Sequence, residues 1–210
     1  MTLKLYQLSC YYLNLIWLNI LWVIFTVLGG VVFGIFPATA SAFQYYRKHR
    51  TEFSGYIGFG KMFRSMWQGY RHEFIATNKL ALFAVGIALF LYIDFRLVLT
   101  QQDVVSQGVK YLLLIAILIA VVALMFLFPV YNYFKLSTSR YILQTFLLVI
   151  LSPVQLLKCL ILLAGSYLAM IYIPAFILPI YMSLQIKIIQ DIMEKRFSAL
   201  KVQMTTEKAV

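Results

Sequence analysis

The sequence predicts an all-α fold, a polytopic transmembrane helical bundle of about five spans plus a cytoplasmic interfacial amphipathic helix. Two observations lead there. The 210 residues are 63% hydrophobic and 12% charged, whereas soluble domains run roughly 45–50% apolar and about 25% charged. The basic residues behind the net charge of +11 sit in short stretches between long apolar runs. A soluble fold of this size cannot hide so much apolar surface, and lipid accepts it. A nucleic-acid binder gathers its basic residues on one polar surface, so this spread reads as positive-inside bias and excludes a nucleic-acid partner. The whole chain, 1–210, reads as a single membrane domain.

The first apolar run covers residues 13–36, interrupted by Asn14, Asn19 and Thr26. At 1.5 Å per residue it reaches about 36 Å, enough to span. Only Lys4 precedes it, and it exceeds the apolar core of a signal peptide, so it is kept as a span. Pro37 follows, where a helix must kink or restart for want of an N–H donor. The small residues Ala38, Thr39, Ala40, Ser41 and Ala42 permit close helix approach in lipid.

Residues 56–74 carry one stripe of Tyr56, Phe59, Phe63, Trp67, Tyr70 and Phe74, opposed by Lys61, Arg64, Gln68 and Arg71. That pattern predicts an amphipathic helix lying along the inner interface. Either it anchors its own bundle or it docks on a partner; the stripe alone does not separate the two.

Spans follow near 76–93 and 111–128, with a polar loop between them. From 141 to 186 the chain is almost continuously apolar, about 69 Å as one helix and too long for one span. In one reading, spans at 141–163 and 167–184 flank a turn at Ala164-Gly165-Ser166. In the other, Pro153 breaks an interfacial stretch from a single long span. Charge favours the first. With the N-terminus outside, fourteen Lys and Arg lie within, against Lys4, Arg96 and Lys110 outside, with Lys158 inside a span. The alternative splits them ten to eight. The expected topology is therefore five spans, N-terminus out, with a cytoplasmic tail at 187–210. Prolines then mark three inner span ends, at Pro37, Pro129 and the pair Pro174 and Pro179.

Chemistry is sparse. Cys10 and Cys159 show no metal or disulfide spacing. His49 and His72, near Glu52 and Glu73, read as solvated interfacial residues. No hydrolase, Walker or zinc motif occurs, so no catalytic, cofactor-binding or metal-ligating residue is assigned and no enzyme is expected. Any ATP-driven role would need a separate ATPase. Lys158 is the candidate intramembrane functional residue, its alternative role being to snorkel to an interface. No carboxylate lies deep in a span, which argues against a proton-coupled transporter working alone.

Three features resemble the YesL family, a bacterial membrane family defined as a domain of unknown function (DUF624). Asn14, Trp17, Asn19 and Trp22 lead into Phe36-Pro37-Ala38-Thr39-Ala40, and the basic aromatic helix follows at residues 63–70. The size and apolar C-terminal half also agree. Phe36 departs from the family's usual glycine. The resemblance implies a multi-pass protein of the bacterial cell membrane, non-catalytic and an accessory to a carbohydrate ABC importer. Its partners would be the importer permeases, beside a separate ATPase and sugar-binding protein. A small free-standing transporter or channel, and a membrane assembly or signalling protein, remain as alternatives. If a permease binds, the expected contact surface is Pro37, Ala38, Thr39, Ala40 and Ser41 with the Arg64 and Arg71 edge.

Overall fold

A computed structural model describes residues 2–100, 104–134, 138–174 and 178–207. Every regular element among them is helical: α1 (Thr2–Leu28), α2 (Ile35–His49), α3 (Phe59–Leu99), α4 (Val104–Tyr133), α5 (Thr138–Leu151), α6 (Pro153–Tyr172) and α7 (Tyr181–Glu207). Short 3₁₀ turns at Arg50–Ser54 and Leu178–Ile180 precede α3 and α7. The fold is an all-α bundle, and four of its helices, in α1, α3, α4 and α6, are long and apolar enough to cross a membrane.

The first helix stops at Leu28, short of the expected residue 36. Gly30 takes φ +73°, the left-handed cap that glycine adopts without penalty, and the Val31 N–H reaches back to the Thr26 carbonyl at 2.9 Å. The chain then reverses, and Pro37 falls in the first turn of α2, where its missing N–H costs nothing. Helix α2 returns antiparallel along α1: Trp22 Nε1 donates to Thr39 Oγ1 at 2.9 Å and the Tyr11 and Tyr46 hydroxyls meet at 3.3 Å. It packs against α1, α3, α4 and α7, so it is buried on nearly every side.

The expected separation of an interfacial helix from a second span is corrected. Residues 59–74 and 76–93 belong to one unbroken α3 of 41 residues, about 62 Å long. It contains no proline, and Gly60, Gly69 and Gly86 do not break it. Its N-terminal half runs parallel to α1, with Trp17 on Phe59 at 5.0 Å and Phe25 on Tyr70 at 5.2 Å between ring centroids. The aromatic stripe therefore packs on α1. The C-terminal half carries outward apolar side chains such as Leu82, 76% exposed, and Phe90, 65% exposed. With α4 it forms a long hairpin, against which α5 lays Ile142, Thr145 and Phe146 beside Ala123 and Leu127.

Three further boundaries move. Pro129 lies inside α4, which continues to Tyr133; near a helix end a lost hydrogen bond is tolerated. The turn expected at Ala164-Gly165-Ser166 is helix; Ala164 favours it, and the cost of Gly165, about 1 kcal/mol, is small beside that of leaving backbone groups unpaired in an apolar run. The break falls at Ser152, with Pro153 opening α6 at the position proline favours. The spans expected at 141–163 and 167–184 thus become a short α5, a 20-residue α6 and a separate α7.

The largest correction concerns sidedness. Asn14 Nδ2 donates to the Phe53 carbonyl at 3.0 Å and to the Gly55 carbonyl at 2.7 Å, and its Oδ1 accepts from the Ile57 N–H at 3.2 Å. The start of the first span and the middle of the basic segment are thus in contact. They cannot lie on opposite faces of a hydrocarbon layer about 30 Å thick, as the five-span, N-out arrangement requires. Helix α7 reaches the same end, its Lys187 Nζ standing 4.5 Å from the Tyr11 ring centroid.

Candidate functional site

Charged and polar side chains converge at the end of the bundle where the first half of α1, the C-terminus of α2, the start of α3 and α7 meet. Arg50 joins two elements there. Its guanidinium lies 3.2 Å from Asp191 and 2.9 Å from Glu194 on α7. Burial works to lower the Arg50 pKa, but the Asp191 and Glu194 charges outweigh it and hold the guanidinium above its ordinary range. Tyr46 donates to the same Asp191 at 3.5 Å, and burial first, then the neighbouring hydroxyl of Tyr11, keeps the phenol of Tyr46 protonated well above its ordinary pKa. Arg47 donates to the Asn132 carbonyl and stacks over the Tyr133 ring at 4.6 Å, while Asn132 Nδ2 donates to the Ala40 carbonyl at 3.2 Å. These bonds tie α2, α4 and α7 into one polar seam.

Pro37, Ala38, Thr39, Ala40 and Ser41, expected to meet a partner, are all buried within the chain. This is a correction with a plain cause. Small side chains do allow close helix approach, and the helices that approach are the chain's own. Arg64 and Arg71 are exposed, as a contact edge requires, and Arg71 lies over the Trp67 ring at 5.4 Å. Lys158 is exposed on α6, one and a half turns after Pro153. The structure brings Arg64 and Arg71 onto one face of α3 and leaves Lys158 on a separate helix, apart from them.

The two histidines make separate local pairs, His49 Nδ1 with Glu52 at 3.2 Å and His72 Nδ1 with Glu73 at 3.0 Å. Glu52 also meets Lys61 at 3.0 Å; that hydrogen bond, then the one from His49, holds its carboxyl below the usual range. Glu73 accepts from the Tyr131 hydroxyl on α4. Sequence reading missed the Arg50 clamp. The available signal was Asp191 and Glu194, spaced three apart on one face of a helix that otherwise offers mainly cations.

The family described as protein of unknown function DUF624 matches residues 15–95, the stretch that builds the α1–α2 hairpin and most of α3. Among relatives in Bacillus subtilis (strain 168), the uncharacterized protein YesV is 29% identical over 76% of this chain and 74% of its own. The uncharacterized protein YteU is 27% identical over 74% of this chain and 68% of its own, and the uncharacterized protein YesL 29% over 62% and 59%. No solved structure matches. The resemblance read from the sequence stands.

Proposed function

We propose, from the premise that this chain belongs to the DUF624 family, that it is a non-catalytic accessory subunit attached to the permeases of a carbohydrate ABC importer in the bacterial cell membrane. The importer as partner rests on the family resemblance. The structural observation that carries an accessory role is the convergence of α1, the basic segment and α7 at one polar end. It gives a rigid platform beneath the apolar halves of α3 and α4.

That end faces the cytoplasm. Arg47, Lys48, Arg50, Lys61, Arg64 and Lys187 cluster on its side, while Arg96 and Lys110 stand at the far end of the α3–α4 hairpin. Cationic side chains accumulate inside, which supports both termini being cytoplasmic, with α3 and α4 crossing as a hairpin and α5, 14 residues and about 21 Å long, too short to cross alone. The α1–α2 hairpin then enters from the inner face and returns.

Affinity purification of the tagged chain in mild detergent, with mass-spectrometric identification of co-purifying proteins, tests the partner. Importer permeases are expected, and their absence at normal expression removes the importer reading. Recovery of a different membrane protein in their place would favour an assembly or signalling role.

A further inference from the structure

The geometry points to a binding site for a phosphate-bearing anion in the groove between the C-terminal half of α2 and the N-terminal half of α3. This goes beyond the importer reading and does not depend on it. Lys48 projects from one wall and Lys61 and Arg64 from the other, with Gln44, Ser65 and Gln68 between them as neutral donors. The groove encloses about 530 Å³ around Lys48, Lys61 and Arg64, room for a phosphate and part of whatever bears it.

Three observations give the groove an anionic occupant. No described Asp or Glu lines it, and of Lys48, Lys61 and Arg64 only Lys61 is paired with a carboxylate. The nearest carboxylate, Glu52, is taken up at the mouth by Lys61 and His49, while Lys48 and Arg64 have no ion pair among the described residues. Tyr45, only 2% exposed, also lines the groove, and its hydroxyl is buried with no hydrogen-bond partner among the described residues. A buried donor without an acceptor is costly, and a phosphate oxygen is the acceptor these surroundings suit. A guanidinium and an ammonium on facing walls, with amide and hydroxyl donors between, match a tetrahedral oxyanion better than a planar apolar ligand.

Such a phosphate comes from the headgroup of an anionic lipid at the inner leaflet or from a small soluble phosphate, and one experiment separates them. The full chain in mild detergent is titrated with phosphatidylglycerol, with phosphatidylcholine and, separately, with inorganic phosphate, and retained ligand is read by native mass spectrometry. The wild type is expected to hold phosphatidylglycerol or inorganic phosphate in preference to phosphatidylcholine. K48Q/R64Q should bind at least about tenfold more weakly, while the conservative K48R/R64K and the distant control K79Q/R96Q should bind as the wild type does. Retention of phosphatidylglycerol alone assigns a headgroup, and retention of inorganic phosphate assigns a soluble ligand. The proposal is overturned if the wild type retains neither, if K48Q/R64Q keeps wild-type affinity, or if K79Q/R96Q loses as much.

Discussion

Asn14 on the first helix donates its side-chain amide to the Phe53 carbonyl at 3.0 Å, thirty-nine positions further along the chain. With its bonds to Gly55 and Ile57, it satisfies three backbone groups of a segment that has no regular partner of its own. Buried backbone groups left unpaired cost about 1–3 kcal/mol each. Asn14→Leu, close in volume but without donor or acceptor, should therefore destabilise the fold by about 2–5 kcal/mol. Thermal unfolding in detergent, followed by the helical circular dichroism signal, should show a clear fall in midpoint. An unchanged midpoint would mean these bonds contribute nothing.

The reversal after α1 gives a second prediction. A Cβ on Gly34 would collide with the backbone carbonyl of Thr26, and backbone atoms within a helix end cannot swing aside as a side chain can. Gly34→Ala should cost more than the roughly 1 kcal/mol that glycine replacement changes through chain entropy alone, and should lower the yield of folded protein. By contrast Gly58→Ala, at the start of α3 and with open space around its Cβ, should leave yield and midpoint near wild type.

The membrane class was legible because it rests on composition, and the helical stripe of Phe59, Phe63, Trp67 and Tyr70 was legible because it rests on period. Pro153 also carried its break in a plain residue, although charge counting set it aside in favour of Ala164-Gly165-Ser166, and the first span was read straight through Gly30 to residue 36. What failed was sidedness. An apolar run gives no sign of whether it crosses or turns back, and the decisive contacts, Asn14 to residues 53–57 and Arg50 to Asp191 and Glu194, join positions far apart in sequence. Small residues were correctly read as close-packing positions at Ala38 to Ser41. Nothing in them told an internal neighbour from an external one.

That distinction yields a prediction of its own. Ala38 and Ala40 are 0% and 1% exposed, so enlarging either overpacks the centre of the bundle. Ala38→Leu should destabilise by about 1–3 kcal/mol whether or not a partner is present. R64E/R71E should leave the unfolding midpoint of the isolated chain near wild type, because both side chains are exposed, and should weaken capture of any partner that uses that edge. Loss of capture by Ala38→Leu at full stability would return the small residues to the partner surface.

Glu52 makes stability depend on pH in a definite direction. Its carboxyl titrates below the ordinary value because Lys61 and then His49 favour the charged form. A depressed folded pKa contributes stability that is present above the unfolded value, about 4.3, and is lost as pH falls through the folded one. Glu52→Gln should therefore flatten the acid side of a midpoint-against-pH curve below about pH 4.5 and leave the neutral region nearly unchanged. An identical acid limb in both proteins would count against the pairing.

Topology offers the sharpest test, because the contact of Asn14 with residues 53–57 puts them on one face, whereas charge counted along the sequence put them on opposite faces. In a background with Cys10 and Cys159 replaced, single cysteines are placed at Thr2, at Thr51 and at Gln107, and intact cells are treated with a membrane-impermeant thiol reagent. Thr2 precedes the helix turn that meets residues 46–57, and Thr51 lies in the basic segment itself. Gln107 sits at the start of α4, at the far end of the α3–α4 hairpin. The geometry requires Thr2→Cys and Thr51→Cys to behave alike, and the positive-inside bias requires both to stay unlabelled until the membrane is opened. Gln107→Cys should label from outside. Labelling at Thr2→Cys with protection at Thr51→Cys would place the two on opposite faces, and the hairpin entry of α1 and α2 would then be wrong. Labelling of both, with protection at Gln107→Cys, would keep the hairpin and invert the whole chain, which only a failure of the charge rule in this protein could explain.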